Sequence, residues 1–378
     1  MSKLLGRAAA PLLFLLWLRL ALHQSQQPEV LGRWSSAYVS FLVAAALAAV
    51  GCAWLLRPAV LAHLRWPAVV GLGLSAGLSL LTAEAAVRAL DLLGASYYEE
   101  TSRYLLETEP DGELGYRHSA GRRTLYQDVA VDFNEFGMRD RPLSDSVDKR
   151  VLLLGDSVTF GWGVEAEETF GRRLEERLGG VRTLNAGVCG YNTVQQRRYL
   201  ETEGFALQPD GVILLYVEND VQPPIEVRRS GPMIALRDSP PSLLNAFLGA
   251  SWLFRLVHHL GATVSGPSAD ADRLAEARTD SFHALSGIWA GCRRRGIPFA
   301  VFFYRLRTTE QTDELWAELA QLAFDQGFTL VDTAPWFEGR ELREMVNSFV
   351  DSHPNPEAHD ILAQGMAASL RGGQRASR

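Results

Sequence analysis

A hydroxyl group becomes an acyl-transfer nucleophile only when a base takes its proton and nearby donors stabilise the oxyanion that its attack creates. This chain carries residues suited to each task on four separate stretches. Ser157 lies in "VLLLGDSVTFGWGV", where a short apolar run enters Gly155, Asp156 and Ser157, and two more glycines follow. "NAGVCGYN", residues 185–192, holds Gly187 and Gly190, where backbone N–H groups can approach a ligand with no side chain in the way. "VEND", residues 217–220, offers the Asn219 amide. "DSHPNPEAH", residues 351–359, puts His353 before a proline, which biases its backbone toward an extended loop, and Asp351 two residues earlier can orient the ring.

Taken singly, each stretch has a plain structural reading: a polar strand exit, a turn, a helix cap, an N-cap region before a last helix. Together they run in the order nucleophile, glycine, amide, acid and base, and all fall between expected elements. From residue 150 onward "RVLLLG", "VRTLNAG", "GVILLYV", "PFAVFFY" and "FTLVDT" are short apolar runs. They alternate with the helical patterns "EAEETFGRRLEERLG", "TVQQRRYLETEG", "DRLAEARTDSFHALSGIWAGCRRRG" and "EQTDELWAELAQLAFDQG". Such alternation predicts an α/β domain, a parallel sheet covered by helices on both faces, with ligands beyond the carboxyl ends of the strands. Ser157 follows such an end.

Residues 94–149 read as a turn-rich connector that packs on this domain, through "YYEETSRYLLETEP", "ELGYRH", "TLYQDVAVDF" and "NEFGMRDRP". The α/β domain itself is expected over 150–372, with an insertion at about 221–266. Within the insertion "SLLNAFLGASWLFRLVHHLGA" reads as an apolar helix that caps the site, lies on the bilayer surface or, the favoured reading, packs as core, and His258 and His259 as surface or structural histidines.

The whole chain has 378 residues and a net charge of -7, which excludes a basic nucleic-acid-binding protein. Residues 1–93 are a different material, almost free of acids and expected to be a membrane region. Residues 35–56 and 66–83 carry no charged side chain and are long enough to be transmembrane helices. Residues 8–22, interrupted by Arg19, read as a third span or a signal-like segment, the three-span reading being favoured. With three spans Lys3, Arg7, Arg57 and Arg65 are cytoplasmic and only Arg33 is in the first external loop, so the large domain is extracytoplasmic on an inner or plasma membrane. With two spans it would return to the cytoplasm. Cys52, Cys189 and Cys292 make neither a disulfide framework nor a metal site, and no nucleotide or phosphate motif is present, so no cofactor or metal is expected.

The order of the four blocks and their flanking residues resembles the SGNH branch of the GDSL esterase and lipase family, over residues 150–370. The resemblance implies a three-layer, flavodoxin-like sheet and a serine esterase. It implies Ser157 as nucleophile with its own N–H facing the oxyanion, Gly190 (with Gly187 as the lesser choice) and the Asn219 amide as the other donors, His353 as base and Asp351 as its orienting acid. Asp156 would be a structural neighbour. Two positions depart from the family pattern: Glu218 stands where glycine usually precedes the third-block asparagine, and only Ser352 separates Asp351 from His353 where two residues are usual. The layout, spans followed by "NEFGMRD" and the GDS block, is also similar to membrane-anchored bacterial members. The implied substrates are acylated small molecules, lipids or glycans. An O-acyltransferase acting on envelope polysaccharide, and a silent binding protein that retains the old pocket, are the alternatives.

Overall fold

The structure, a computed structural model, describes residues 11–15, 17–19, 21–22, 39, 42–43, 46–47, 49–51, 54, 66–91, 93–143, 149–225, 227–230, 233–236, 251–253, 256 and 271–376. The expected spans over 8–22 and 35–56 are only partly among them, and Cys52, His258, His259 and most of the apolar stretch 242–262 lie outside. The chain divides into two compact units, Met1–Leu90 with Ser251–Ser268, and Asp91–Ala250 with Ala269–Arg378.

In the first unit, α1 (Trp66–Leu90) contains the one helix among the described residues that is long and apolar enough to cross a membrane, Val69–Leu90. Its leucines face outward: Leu72, Leu74, Leu78 and Leu81 are all more than half exposed. Near its end Glu84 accepts hydrogen bonds from the N–H groups of Trp252 (2.9 Å) and Leu253 (3.0 Å) and from Ser251 Oγ (2.8 Å).

The second unit opens with α2 (Tyr97–Glu107) and two antiparallel hairpins, β1 (Glu109–Asp111) with β2 (Gly115–Arg117), and β3 (Arg123–Tyr126) with β4 (Val129–Asp132). "TLYQDVAVDF" is thus a tight hairpin. Gln127 and Asp128 turn the chain with φ of 50° and 62°, the left-handed pair that a two-residue loop needs to match strand twist.

Strands and helices then alternate: β5 (Arg150–Leu154), α3 (Ser157–Phe160), α4 (Phe170–Leu178), β6 (Arg182–Asn185), α5 (Thr193–Thr202), β7 (Gly211–Tyr216), a hairpin of β8 (Val227–Ser230) and β9 (Met233–Leu236), α6 (Ala271–Arg294), β10 (Phe299–Phe303), α7 (Glu310–Gln326), β11 (Thr329–Asp332) and α8 (Pro356–Ala376). Among the described residues β6, β5, β7, β10 and β11 form, in that spatial order, one parallel sheet. Numbered along the sheet's own strands the order is 2-1-3-4-5, so the chain reverses direction of travel beside β5, the strand that leads into Ser157.

Strand periodicity decides the two cores. Leu153, Ile213, Leu215, Ala300 and Phe302 face α4 and α8, where Phe170, Leu174, Ala358 and Leu362 are buried. Their immediate neighbours, Leu152, Leu154, Val212, Leu214, Val301 and Phe303, face α5, α6 and α7. Both faces are covered, which is why these strands are continuous apolar runs. At about 1.5–3 kcal/mol for each buried large side chain, these layers dominate the stability of the frame that carries the loops.

The connector joins the second of these cores. Tyr104, Tyr116 and Tyr126 are buried with Phe160 and Trp162, largely edge to face. Within it, the buried Tyr104 hydroxyl lies 2.5 Å from His118 Nε2, and His118 Nδ1 donates to the Gly137 carbonyl at 3.0 Å. The carbonyl only accepts, so Nδ1 carries the proton and Nε2 accepts from tyrosine. Burial pushes this imidazole down to about 4 from its ordinary 6.5. A histidine held neutral by the fold contributes stability that is complete above the unfolded value and is lost as pH falls from about 6.5 toward about 4. Urea denaturation across that range is therefore expected to show wild type losing up to about 3 kcal/mol more than His118→Gln, which stays neutral throughout. Parallel pH slopes for the two proteins would contradict the assignment.

Candidate active site

The end of β5 determines where Ser157 stands. Asp156 caps the four-residue helix α3, its side chain accepting the Val158 N–H at 2.9 Å, and Ser157 is the first helical residue, nearly buried at 7% exposure. The turn closes at once, since the N–H groups of Gly161 and Trp162 both return to the Ser157 carbonyl, at 3.0 and 3.1 Å. Arg139, from "NEFGMRD", holds the end of this turn and the loop beyond it: its guanidinium donates to the carbonyls of Phe160 (3.1 Å), Gly161 and Val164 (2.6 Å). Burial lowers it to about 10, still charged at neutral pH.

The loop before α8 brings in the imidazole of His353. His353 Nε2 is 2.8 Å from Ser157 Oγ, and Nδ1 is 2.5 Å from Asp351 Oδ1. Asp351 is completely buried and as a carboxylate only accepts, so Nδ1 carries the ring proton and Nε2 is free to accept from serine. The short spacing works because Asp351 Oδ1 also accepts the His353 backbone N–H at 3.1 Å. This Asx-turn folds the carboxylate back over a single intervening residue, bringing it to the ring. Asn347 completes the loop, donating from Nδ2 to Asp351 Oδ2 (3.2 Å) and to the Trp162 carbonyl (2.9 Å), while its N–H bonds the His353 carbonyl (3.0 Å). Nothing in the sequence marked Asn347, which lies outside the motif. The rings of Tyr97 and Trp162 flank the imidazole at centroid distances of 5.8 and 6.2 Å.

The two candidate glycines differ in what they do. Gly187 packs the loop against the Ser157 turn so closely that a Cβ there would lie 2.2 Å from the Phe160 nitrogen. Its N–H is already used, donating to Asn185 Oδ1 at 3.0 Å. Val188 N–H goes to the Gly155 carbonyl (3.3 Å), Cys189 N–H to the Tyr104 hydroxyl (3.0 Å) and Tyr191 N–H to the Val188 carbonyl (3.1 Å). Among the described residues only the Gly190 N–H in this loop has no acceptor, and Gly190 sits at φ 83°, where a side chain is strained.

Asn219 is exposed on the 3-10 turn Glu218–Val221, and one of its amide hydrogens is donated to Asp156 Oδ2 at 3.0 Å, leaving the second available. Asp156 is therefore more than a neighbour in sequence, since it orients the Asn219 amide and lies 3.3 Å from Ser157 Oγ. Burial raises its carboxyl above the usual range. The turn itself hangs on Asp220, wholly buried, which accepts from Val217 N–H (2.7 Å), Gln196 Nε2 (2.8 Å) and Thr193 Oγ1 (3.2 Å). Glu218 points to solvent.

Among the described residues no group of three or more His, Cys, Asp or Glu side chains could hold a metal ion, and Cys189 and Cys292 are buried and free. The arrangement is a hydroxyl hydrogen-bonded to an imidazole, itself bonded to a buried carboxylate, beside unused N–H donors. Its chemistry is proton removal from an alcohol next to donors for an anion.

No curated protein matches the chain in sequence. Among solved structures it resembles the psychrotrophic esterase EstA from Pseudoalteromonas sp., at 14% identity and a TM-score of 0.38, over 60% of this chain and 100% of that one. It also resembles a catalytic mutant of the acetylxylan esterase Axe2 from Geobacillus stearothermophilus, at 14% identity and a TM-score of 0.37, over 59% and 94%. Residues 153–361, more than half of the chain and the span from β5 into α8, match the pattern of the GDSL-like Lipase/Acylhydrolase family. The chain belongs to the GDSL-like lipase/acylhydrolase family and is an esterase-type hydrolase.

Proposed function

We propose that the protein cleaves a carboxylic ester through an acyl-enzyme on Ser157. The observation that carries this reading is the unbroken chain Ser157 Oγ, His353 Nε2, His353 Nδ1, Asp351 Oδ1, with contacts of 2.8 and 2.5 Å. His353 takes the hydroxyl proton as Ser157 attacks the ester carbonyl, and Asp351 stabilises the imidazolium that results. The N–H groups of Ser157 and Gly190 and the second Asn219 amide hydrogen donate to the tetrahedral oxyanion. His353 then returns the proton to the leaving alcohol, and water activated by the same imidazole releases the acid. Each oxyanion donor contributes roughly 100-fold or more to turnover in sites of this type. A protein that had kept the pocket only for binding would have no use for a base held by a buried carboxylate.

The same proposal includes a membrane anchor. Val69–Leu90 has 22 residues, about 33 Å of helix at 1.5 Å per residue, against a hydrocarbon core of about 30 Å. None of its apolar window is buried within the protein. Leaving one large apolar side chain in water instead of burying it costs roughly 1.5–3 kcal/mol, so an outward-facing leucine surface of this length calls for lipid. The substrates that suit a tethered esterase are acylated lipids or glycans of the envelope, on the extracytoplasmic side that the arginines and lysines give if the chain crosses the membrane three times.

Two measurements test these points. In full-length protein in detergent, Ser157→Ala and His353→Ala are each expected to abolish hydrolysis of p-nitrophenyl acetate, and Asp351→Asn to lower kcat by about 100-fold or more; turnover near wild type in Ser157→Ala would refute the mechanism. In membranes, the chain is expected to resist alkaline carbonate and to be released by detergent. Recovery in the carbonate supernatant would remove the anchor from the proposal.

A further inference from the structure

The peptide unit that presents the Gly190 N–H begins at the Cys189 carbonyl, and that carbonyl is already gripped. The Tyr116 hydroxyl donates to it at 2.7 Å. Tyr116 is wholly buried, comes from β2 in the connector, and lies 73 residues from Cys189 in sequence. Its own position is fixed from the other side, where the Tyr191 hydroxyl donates to the Tyr116 carbonyl and the two rings meet edge to face at 5.3 Å. The contact with the glycine is close enough that a Cβ on Gly190 would fall 2.7 Å from the Tyr116 hydroxyl oxygen. On the preceding peptide, Tyr104 accepts the Cys189 N–H at 3.0 Å. Two tyrosines of the connector thus hold both polar groups of Cys189.

We infer that the Tyr116 hydroxyl is a positioning group of the oxyanion hole, acting through the Cys189–Gly190 peptide. The inference rests on the reading of Gly190 as an oxyanion donor. A trans peptide is planar with its C=O and N–H pointing in opposite directions, so a donor fixed on the oxygen fixes where the N–H points. Without it, a glycine at positive φ leaves that plane free to rotate, because no side chain restricts it. The same bond polarises the peptide, since hydrogen bonds in a chain strengthen one another, and so makes the Gly190 N–H a better donor. Preorganisation of this kind acts when charge develops on the substrate oxygen, and so is felt in the transition state more than in substrate binding. Burial raises the Tyr116 phenol well above its ordinary value, which keeps its proton in place.

The test removes one oxygen. In full-length protein in detergent, Tyr116→Phe is expected to lower kcat for p-nitrophenyl acetate by about threefold to tenfold, the range for one neutral hydrogen bond, with KM within about twofold of wild type. The inhibition constant of a trifluoromethyl ketone, which forms the oxyanion on Ser157, should rise in proportion to the loss in kcat. Tyr199→Phe is the control, because its hydroxyl is also buried but has no hydrogen-bond partner among the described residues; it should behave as wild type. Wild-type kcat and inhibition in Tyr116→Phe, or an equal loss in Tyr199→Phe, would overturn the assignment. If at the same time Ser157→Ala is inactive, the positioning role alone has failed; if Ser157→Ala retains turnover, the catalytic reading has failed and the role falls with it. Should Tyr116→Phe not fold, 3-fluorotyrosine at position 116 preserves the packing with a stronger donor. It is then expected to raise kcat, and an unchanged kcat would overturn the role.

Discussion

The contact around which this site is arranged is the 2.8 Å hydrogen bond between Ser157 Oγ and His353 Nε2, two groups 196 residues apart. A single neutral hydrogen bond contributes about 1 kcal/mol net, far less than the conformational entropy of holding two distant loops together. It is therefore an outcome of the sheet, whose strand β5, between β6 and the central β7, leads into the serine and whose last helix, α8, packs beside α4 on the same face. His359, on α8, makes that docking specific, accepting the Phe170 N–H at 3.1 Å and stacking on the Phe170 ring. The loop carrying Asp351 and His353 is thereby anchored at the start of a helix whose position the core determines.

A second constraint is the satisfaction of backbone donors. Buried N–H groups are almost always paired, and an unpaired one is costly. In the loop after β6 the acceptors for those donors come from four places: Asn185 in its own strand, Gly155 at the Ser157 turn, Val188 within the loop, and Tyr104 in the connector. The pattern leaves Gly190 without one. The connector is accordingly part of the active-site frame as much as a spacer, through Tyr104 and Tyr116 on one loop and Arg139 on the other. Asp140 belongs to the same frame, paired with the buried Arg182 at 2.7 Å where β6 begins.

Much of this was legible in the sequence, and for identifiable reasons. Strands buried on both faces become unbroken apolar runs, so β5, β7 and β10 could be read directly, and the helices between them show their period. The glycines and prolines beside Ser157 and His353 mark loops for local steric reasons. The choice between Gly187 and Gly190 was only weakly marked, because it turns on which N–H finds an acceptor, and one such acceptor is a hydroxyl 85 residues away. The spacing of Asp351 departs from the family pattern, and an Asx-turn is a three-dimensional solution to a missing residue that spacing alone does not show. The roles of Asp156, Asp220 and Asn347 had no local signature, because each is defined by the groups it bonds across the fold.

The reactivity of the serine is the centre of this account. The most direct measurement is treatment of the folded, full-length protein with a fluorophosphonate probe, followed by mass spectrometric location of the adduct. Modification confined to Ser157, and lost in His353→Ala, is the predicted result. An unmodified Ser157 in active protein, or an adduct on a different residue, would contradict the account.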